Sequence, residues 1–128
     1  MSEKNKAIVR KVNEAFLKGN FEGWLDFCTD DVVWTFIGDK TVKGREAIRQ
    51  WMAEMAKENP EPPKFTVGDP VIAEGDFVVS RGDMAMKDKD GKVGQYSYCD
   101  IYRFRGDKIA ELNSFVVKTQ PKSEAQGA

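Results

Sequence analysis

A carboxylate set among aromatic rings is the first feature of this chain whose residue types and spacing could do chemistry. The run Tyr96-Ser97-Tyr98-Cys99-Asp100-Ile101-Tyr102-Arg103-Phe104-Arg105 reads as a long strand. Strict alternation puts Tyr96, Tyr98, Asp100, Tyr102 and Phe104 on one face and Ser97, Cys99, Ile101 and Arg103 on the other. An isolated buried charge is costly, so Asp100 must be paired, protonated or working. The chain has no histidine, which removes Ser-His triads, Cys-His dyads and imidazole metal sites. Acid–base chemistry therefore falls to Asp, Glu, Lys or Tyr.

The partner of Asp100 depends on a hairpin. Residues 77–87 and 93–105 flank Asp90-Gly91, a two-residue turn signal. If Lys89 lies opposite Lys92, Arg81 faces Asp100, Asp83 faces Tyr98 and Ala85 faces Tyr96. A guanidinium beside Asp100 would favour the ionised carboxylate. A one-residue slip would bring Ser80, Gly82 and Met84 to that face instead, leaving the carboxyl in apolar surroundings with a raised pKa.

These strands need elements to hold them. Ile8, Val12, Ala15 and Phe16 share a helical face over residues 5–18, with Gly19 as its left-handed cap. Asn20 can cap a second helix with Phe21, Trp24, Leu25 and Cys28 as its apolar stripe, ended by Thr29-Asp30-Asp31. Residues 32–37 read as a strand, Trp34 and Phe36 pointing one way and Val33, Thr35 and Ile37 the other. A third helix over residues 45–57 carries Ile48, Trp51, Met52 and Met55 on one face. A stiff proline connector follows at residues 59–63, then a strand over 65–73 interrupted at Gly68-Asp69-Pro70, the long hairpin, and a closing strand at 109–118 with Leu112 and Ser114 on one face. Residues 1–118 form one domain and the polar stretch 119–128 a disordered tail.

Composition narrows the partners. The 128 residues carry a net charge of −1, so no strong field favours nucleic acid or an anionic membrane. No apolar run is long enough to span a bilayer, and the first residues lack the apolar segment of a signal peptide. A cytoplasmic protein is expected, with Cys28 and Cys99 as reduced core residues rather than a bridge or a metal site.

Helix, helix, strand, helix and a meander of long strands is an α+β plan. The runs Ala15 through Glu22, Thr29 through Trp34, Val42 through Ile48 and Asp100 through Phe104, with Gly106 and Lys108-Ile109, resemble the nuclear transport factor 2-like superfamily in its SnoaL-like and ketosteroid-isomerase-like branch. The resemblance implies a cone-shaped α+β barrel, three N-terminal helices packed on a curved antiparallel sheet enclosing a pocket, with the convex sheet face forming a homodimer. It places Asp100 where ketosteroid isomerases keep a protonated aspartic acid, a use of raised pKa known for that enzyme. It also places Thr35 at the position of their general base and Val12 at that of their oxyanion tyrosine, so two parts of that mechanism are missing. Limonene-epoxide-hydrolase-like members use an Asp-Arg-Asp cluster, for which Arg81, Asp83 and Asp100 supply the residue types in a different order.

The resulting expectation is a small-molecule pocket protein, a cofactor-independent and metal-free acid–base enzyme of isomerase, cyclase or hydrolase type acting on a small, partly apolar molecule. Asp100 is its acid or base, with Arg81, Asp83 and Tyr98 as further catalytic candidates. Val12, Phe16, Trp34, Trp51, Met55, Tyr96, Tyr102, Leu112 and Ser114 are the candidate pocket lining. The alternative is a binding module with the same pocket and no chemistry, in which Arg81 and Asp100 form a structural ion pair.

Overall fold

The computed structural model describes residues 2–58, 64–68, 71–87 and 90–119. Along the chain run α1 (Ser2–Leu17), α2 (Phe21–Leu25), β1 (Cys28–Phe36), β2 (Lys40–Lys43), α3 (Arg45–Glu58), β3 (Lys64–Val67), β4 (Ile72–Glu74), β5 (Phe77–Lys87), β6 (Val93–Arg105) and β7 (Lys108–Lys118). The proline connector at 59–63, the Asp69-Pro70 part of the strand interruption, the Asp88-Lys89 part of the hairpin turn and residues 120–128 of the polar tail lie outside the described residues. No described helix is long and apolar enough to cross a membrane.

Local chemistry accounts for the corner between the first two helices. Gly19 sits at φ +72, a region that glycine enters without a Cβ clash. Asn20 Oδ1 then accepts from the Gly23 amide at 3.0 Å and caps α2. The second helix is shorter than its apolar stripe suggests. It ends at Leu25, and Cys28 opens β1 while its thiol still reaches the Trp24 carbonyl at 3.6 Å. Thr29-Asp30-Asp31, expected to end a helix, is therefore extended strand. The short strand β2 was not foreseen; Gly38 at φ +83 turns the chain so that Lys40–Lys43 pairs back onto β1.

Among the described residues seven strands form a curved, unclosed sheet in the order β2-β1-β7-β6-β5-β3, with β4 pairing on β5. The sheet is mixed rather than wholly antiparallel, because β1 and β7 run parallel from Val33↔Glu111 to Phe36↔Ser114. Parallel neighbours need a long crossover, and α3 with the intervening strands supplies it. The strand expected over residues 65–73, with its interruption at Gly68-Asp69-Pro70, is two separate strands: β3 pairs with residues 82–85 of β5 and β4 with residues 77–79.

The hairpin register is the main correction. Lys87 pairs with Val93, which places Ser80 opposite Asp100, Gly82 opposite Tyr98 and Met84 opposite Tyr96. Arg81 and Asp83 therefore lie on the outer face, opposite Cys99 and Ser97, and both are exposed. The expected Arg81–Asp100 pair and the Asp-Arg-Asp cluster do not form. The physical reason is burial: a slip of one residue exchanges the two faces of β5. The observed register buries Val78, Ser80, Gly82 and Met84 and leaves the charged pair in water. Gly82 also fits only here, since a Cβ on it would meet the Tyr98 hydroxyl at 2.7 Å and collide with the Thr66 carbonyl.

The main core lies between the helices and the inner sheet face. Val9 and Val12 of α1, Trp24 and Leu25 of α2 and Ile48 and Met52 of α3 pack with Val32, Trp34, Val78, Tyr102, Phe104, Ile109 and Leu112.

Candidate active site on the inner sheet face

Pairing across three ladders sets the site out in rows. Asp100 stands between Ser80 on β5 and Ser114 on β7, and Ser114 in turn lies beside Phe36 of β1. The next row is Val78, Tyr102, Leu112 and Trp34; on the other side comes the row of Gly82, Tyr98 and Val116. Opposed residues share a face, so all of these side chains rise toward the helices.

Aromatic rings border this polar row in a connected arc. Trp51 meets Trp34 edge-on at 5.5 Å between centroids, Trp34 meets Phe16 at 6.2 Å, Phe16 meets Phe65 at 5.6 Å and Phe65 meets Tyr98 at 5.9 Å. Edge-to-face contacts of this kind hold rings in defined orientations. Phe36 adds a ring stacked 4.7 Å from Trp34. Tyr98 can lie across β5 because Gly82 beneath it has no side chain.

Hydrogen bonds connect the row to its surroundings. Trp34 Nε1 donates to Ser114 Oγ at 2.8 Å, and Ser114 stands directly across the β6–β7 ladder from Asp100. On the other side Asn13 Nδ2 donates to Ser80 Oγ at 3.3 Å, while its Oδ1 receives the Tyr102 hydroxyl at 3.5 Å. Asp100 is half-buried. Burial pushes its pKa up to about 7, opposed in part by Ser114. No cation contributes to that balance among the described residues. Burial, with the nearby Asp100 and Asp83 carboxyls, pushes the Tyr98 hydroxyl up to about 12, and burial raises Tyr102 well above the ordinary tyrosine value. Both phenols therefore stay protonated donors at neutral pH. The Tyr98 hydroxyl has no hydrogen-bond partner among the described residues.

Most candidate residues come together here. Asp100, Tyr98, Tyr102, Leu112, Ser114 and Trp34 share the inner face, with Tyr96 two rows from Asp100. Phe16 and Trp51 join the arc from their helices, Val12 is fully buried in the core, and Met55 is half-buried one turn beyond Trp51. Arg81 and Asp83 are elsewhere; Asp83 instead accepts from the Ser97 hydroxyl at 2.9 Å on the outer face. Thr35 is also on the outer face, opposite Asn113, and bonds Thr41 at 3.3 Å. Its inward neighbours Trp34 and Phe36 are no more able than Thr35 to act as a carboxylate base. Asn13, Phe36 and Phe65 are site residues that the candidate lining omits. The bulk and spacing of Phe36 beside Trp34 marked it as inward-facing, whereas nothing local marked Asn13 among the polar positions of α1.

An open surface depression of about 590 Å³ at the start of α3, lined by Asp30, Lys43, Gly44, Arg45, Glu46, Ala47 and Arg49, shares no residue with this row. Several of its charges are paired: Arg45 bonds Asp30, and Arg49 bonds Glu46 and, at 2.7 Å, Glu22. The inner face, where a lone carboxyl is desolvated, has the stronger chemical character. Among the described residues no cluster of metal-ligating side chains occurs.

A model of the SnoaL-like domain matches residues 9–112. Among solved structures, an NTF2-like protein of unknown function from Cytophaga hutchinsonii is 28% identical, with a TM-score of 0.72 over 88% of this chain and 98% of its own. Bal32a, from a soil-derived mobile gene cassette, is 20% identical, with a TM-score of 0.80 over 90% of each chain. A putative SnoaL-like polyketide cyclase from Jannaschia sp. CCS1 is 17% identical, with a TM-score of 0.78 over 90% of this chain and 86% of its own. No curated protein matches the sequence.

Proposed function

This chain belongs to the SnoaL-like domain family of the nuclear transport factor 2-like superfamily, and we propose that within it Asp100 is the acid–base group of a cofactor-independent enzyme acting on a small, partly apolar molecule. One observation carries this reading: a desolvated carboxyl whose pKa burial pushes up to about 7, bordered by an arc of aromatic rings, with no cation acting on it among the described residues. A group whose pKa lies near the working pH is populated in both forms and transfers protons with little thermodynamic penalty either way. Protonated, Asp100 donates to a carbonyl, hydroxyl or epoxide oxygen. Ionised, it takes a proton from water or from carbon next to a carbonyl. Tyr98 is the second donor to a ligand oxygen, and the rings cover the ligand's apolar part. Isomerase, cyclase and hydrolase chemistry all fit such a pair.

Two structural relatives are consistent with a small organic ligand: one is a putative polyketide cyclase, and TerC, 16% identical, was co-crystallised with polyporic acid. We take residues 1–118 as the domain, the outer sheet face as a homodimer contact and the cytoplasm as the working compartment.

Turnover of a panel of ketones, lactones and epoxides by the wild type and by Asp100→Asn tests the assignment. Loss of turnover with retained ligand binding supports it. Unchanged turnover removes Asp100 from the chemistry, and binding without turnover by the wild type indicates a ligand-binding module on the same fold.

A further inference from the structure

Asp100 has a serine on each side. Ser114 faces it across the β6–β7 ladder and Ser80 across β5–β6, so both hydroxyls rise from the sheet face that carries the carboxyl. Ser114 is 3% exposed and Ser80 fully buried, which leaves neither hydroxyl free to satisfy itself with bulk water.

The proton of Ser114 has a determined direction. A serine hydroxyl offers one donor and two acceptor lone pairs, whereas an indole N–H can only donate. Trp34 Nε1 donates to Ser114 Oγ at 2.8 Å, so the serine is the acceptor in that contact and its own proton must go elsewhere. Asp100, directly across the ladder on the same face, is the acceptor set beside it, and Ser114 holds the Asp100 pKa below what burial alone would give. We propose that Ser114 is a positioning residue, held by Trp34 with its proton aimed at Asp100, and that it fixes which carboxyl oxygen faces the substrate.

The consequence is mechanistic. With one oxygen occupied by Ser114, a proton arrives at and leaves from the other oxygen, so the carboxyl need not rotate between the two halves of a proton transfer. The bond also favours the ionised form, because it is donated to the carboxyl and is stronger when the acceptor is charged. The titratable groups beside Asp100 are Tyr98 and Tyr102 of its own strand. Its neighbours in pairing on β5 and β7 are serines, and Asn13 of α1 reaches Ser80. The Trp34–Ser114 contact is thus the chief polar influence that acts on Asp100 through a second residue.

The proposal rests on Asp100 being the acid–base group, but its test does not need a substrate. The titration midpoint of the Asp100 carboxyl is followed by carbon NMR on the full chain. Ser114→Ala is expected to raise the midpoint by roughly one pH unit, the size of a charged hydrogen bond expressed as pKa. Trp34→Phe should raise it by less, and adding Trp34→Phe to Ser114→Ala should add nothing, since Trp34 acts only through Ser114. Midpoints unchanged in folded Ser114→Ala, or an equal Trp34→Phe shift with and without Ser114, overturn the relay. Should Ser114→Ala not fold, an unmoved midpoint in Trp34→Phe does the same. Turnover abolished by Asp100→Asn with no midpoint shift removes the relay and leaves the acid–base reading. A midpoint shift with turnover intact in Asp100→Asn removes the catalytic role instead.

Discussion

Ser80 of β5 lies directly opposite Asp100 of β6, and Arg81, one residue along, points from the other face of the sheet. A single step in register thus separates a carboxylate neutralised by arginine from one left to burial alone. Arg81→Met should leave the Asp100 midpoint within a few tenths of a unit of the wild type, because a charge across the sheet in water is well screened. Asp100→Asn should lower kcat/KM on any substrate that turns over by about 10²- to 10⁴-fold, the usual worth of a general acid or base. Loss of activity in Arg81→Met with Asp100 still titrating normally would point to a site on the outer face.

The raised pKa of Asp100 makes stability depend on pH. Its ordinary value is 3.8 and the folded value about 7, so between those pH values the folded chain holds a proton that the unfolded chain releases. Stability therefore falls as pH rises through this window, by up to about 1.4 kcal/mol per pH unit, and levels off above it. Asp100→Asn has no such proton. Urea unfolding at pH 4.5, 6 and 8 should show the wild type losing stability relative to the variant as pH increases. Parallel curves would mean that the carboxyl is better solvated than its packing implies.

Gly82→Ala tests how tightly the inner face is built. The added methyl would collide with the Thr66 carbonyl and come within 2.7 Å of the Tyr98 hydroxyl, and a paired backbone carbonyl cannot step aside as a side chain can. A loss of about 1–3 kcal/mol is expected, as for other overpacked positions. Gly94→Ala is the control, because its nearest contact is the Tyr96 ring edge at 2.9 Å and that half-buried ring can turn. Equal stability losses in the two variants would show that the Tyr98 ring does not rest on β5.

Helix faces and strand alternation were readable because they repeat. Ile8, Val12 and Phe16 repeat at helical spacing, and Trp34 with Phe36 alternates with Thr35, so each face was set by several residues at once. The hairpin register had no such redundancy. Asp90-Gly91 suggested a two-residue turn, but pairing begins at Lys87 and Val93, and the deciding contacts are long-range: Gly82 beneath Tyr98, and Val78 and Met84 in the core. The same limit hid Asn13 and Phe65. Asn13 is one polar residue among many on α1, and Phe65 sits on a short edge strand whose place against Phe16 and Tyr98 emerges only once the sheet curves over the helices. The identity of Asp100 as the chemically unusual residue was legible from its tyrosine neighbours alone. The cause of its perturbation was not, since it required knowing which residue stood across the ladder.

The outer face carries the remaining prediction. Phe115 and Val117 are 39% and 63% exposed there, beside half-buried Val79, Cys99 and Ile101, an apolar strip that water covers poorly. Arg81 lies in the row of Cys99 and Phe115, and Asp83 in that of Ser97 and Val117, so two copies related by a twofold axis would present the same strip and the same opposite charges to each other. Val117→Lys places an ammonium in that contact from both copies at once, a like charge with no partner to neutralise it. Sedimentation at micromolar concentration should show a wild-type dimer, a Val117→Lys monomer and a dimer again for Asp100→Asn, whose change lies on the inner face. A wild-type monomer would remove a second copy of this chain as the partner of the strip.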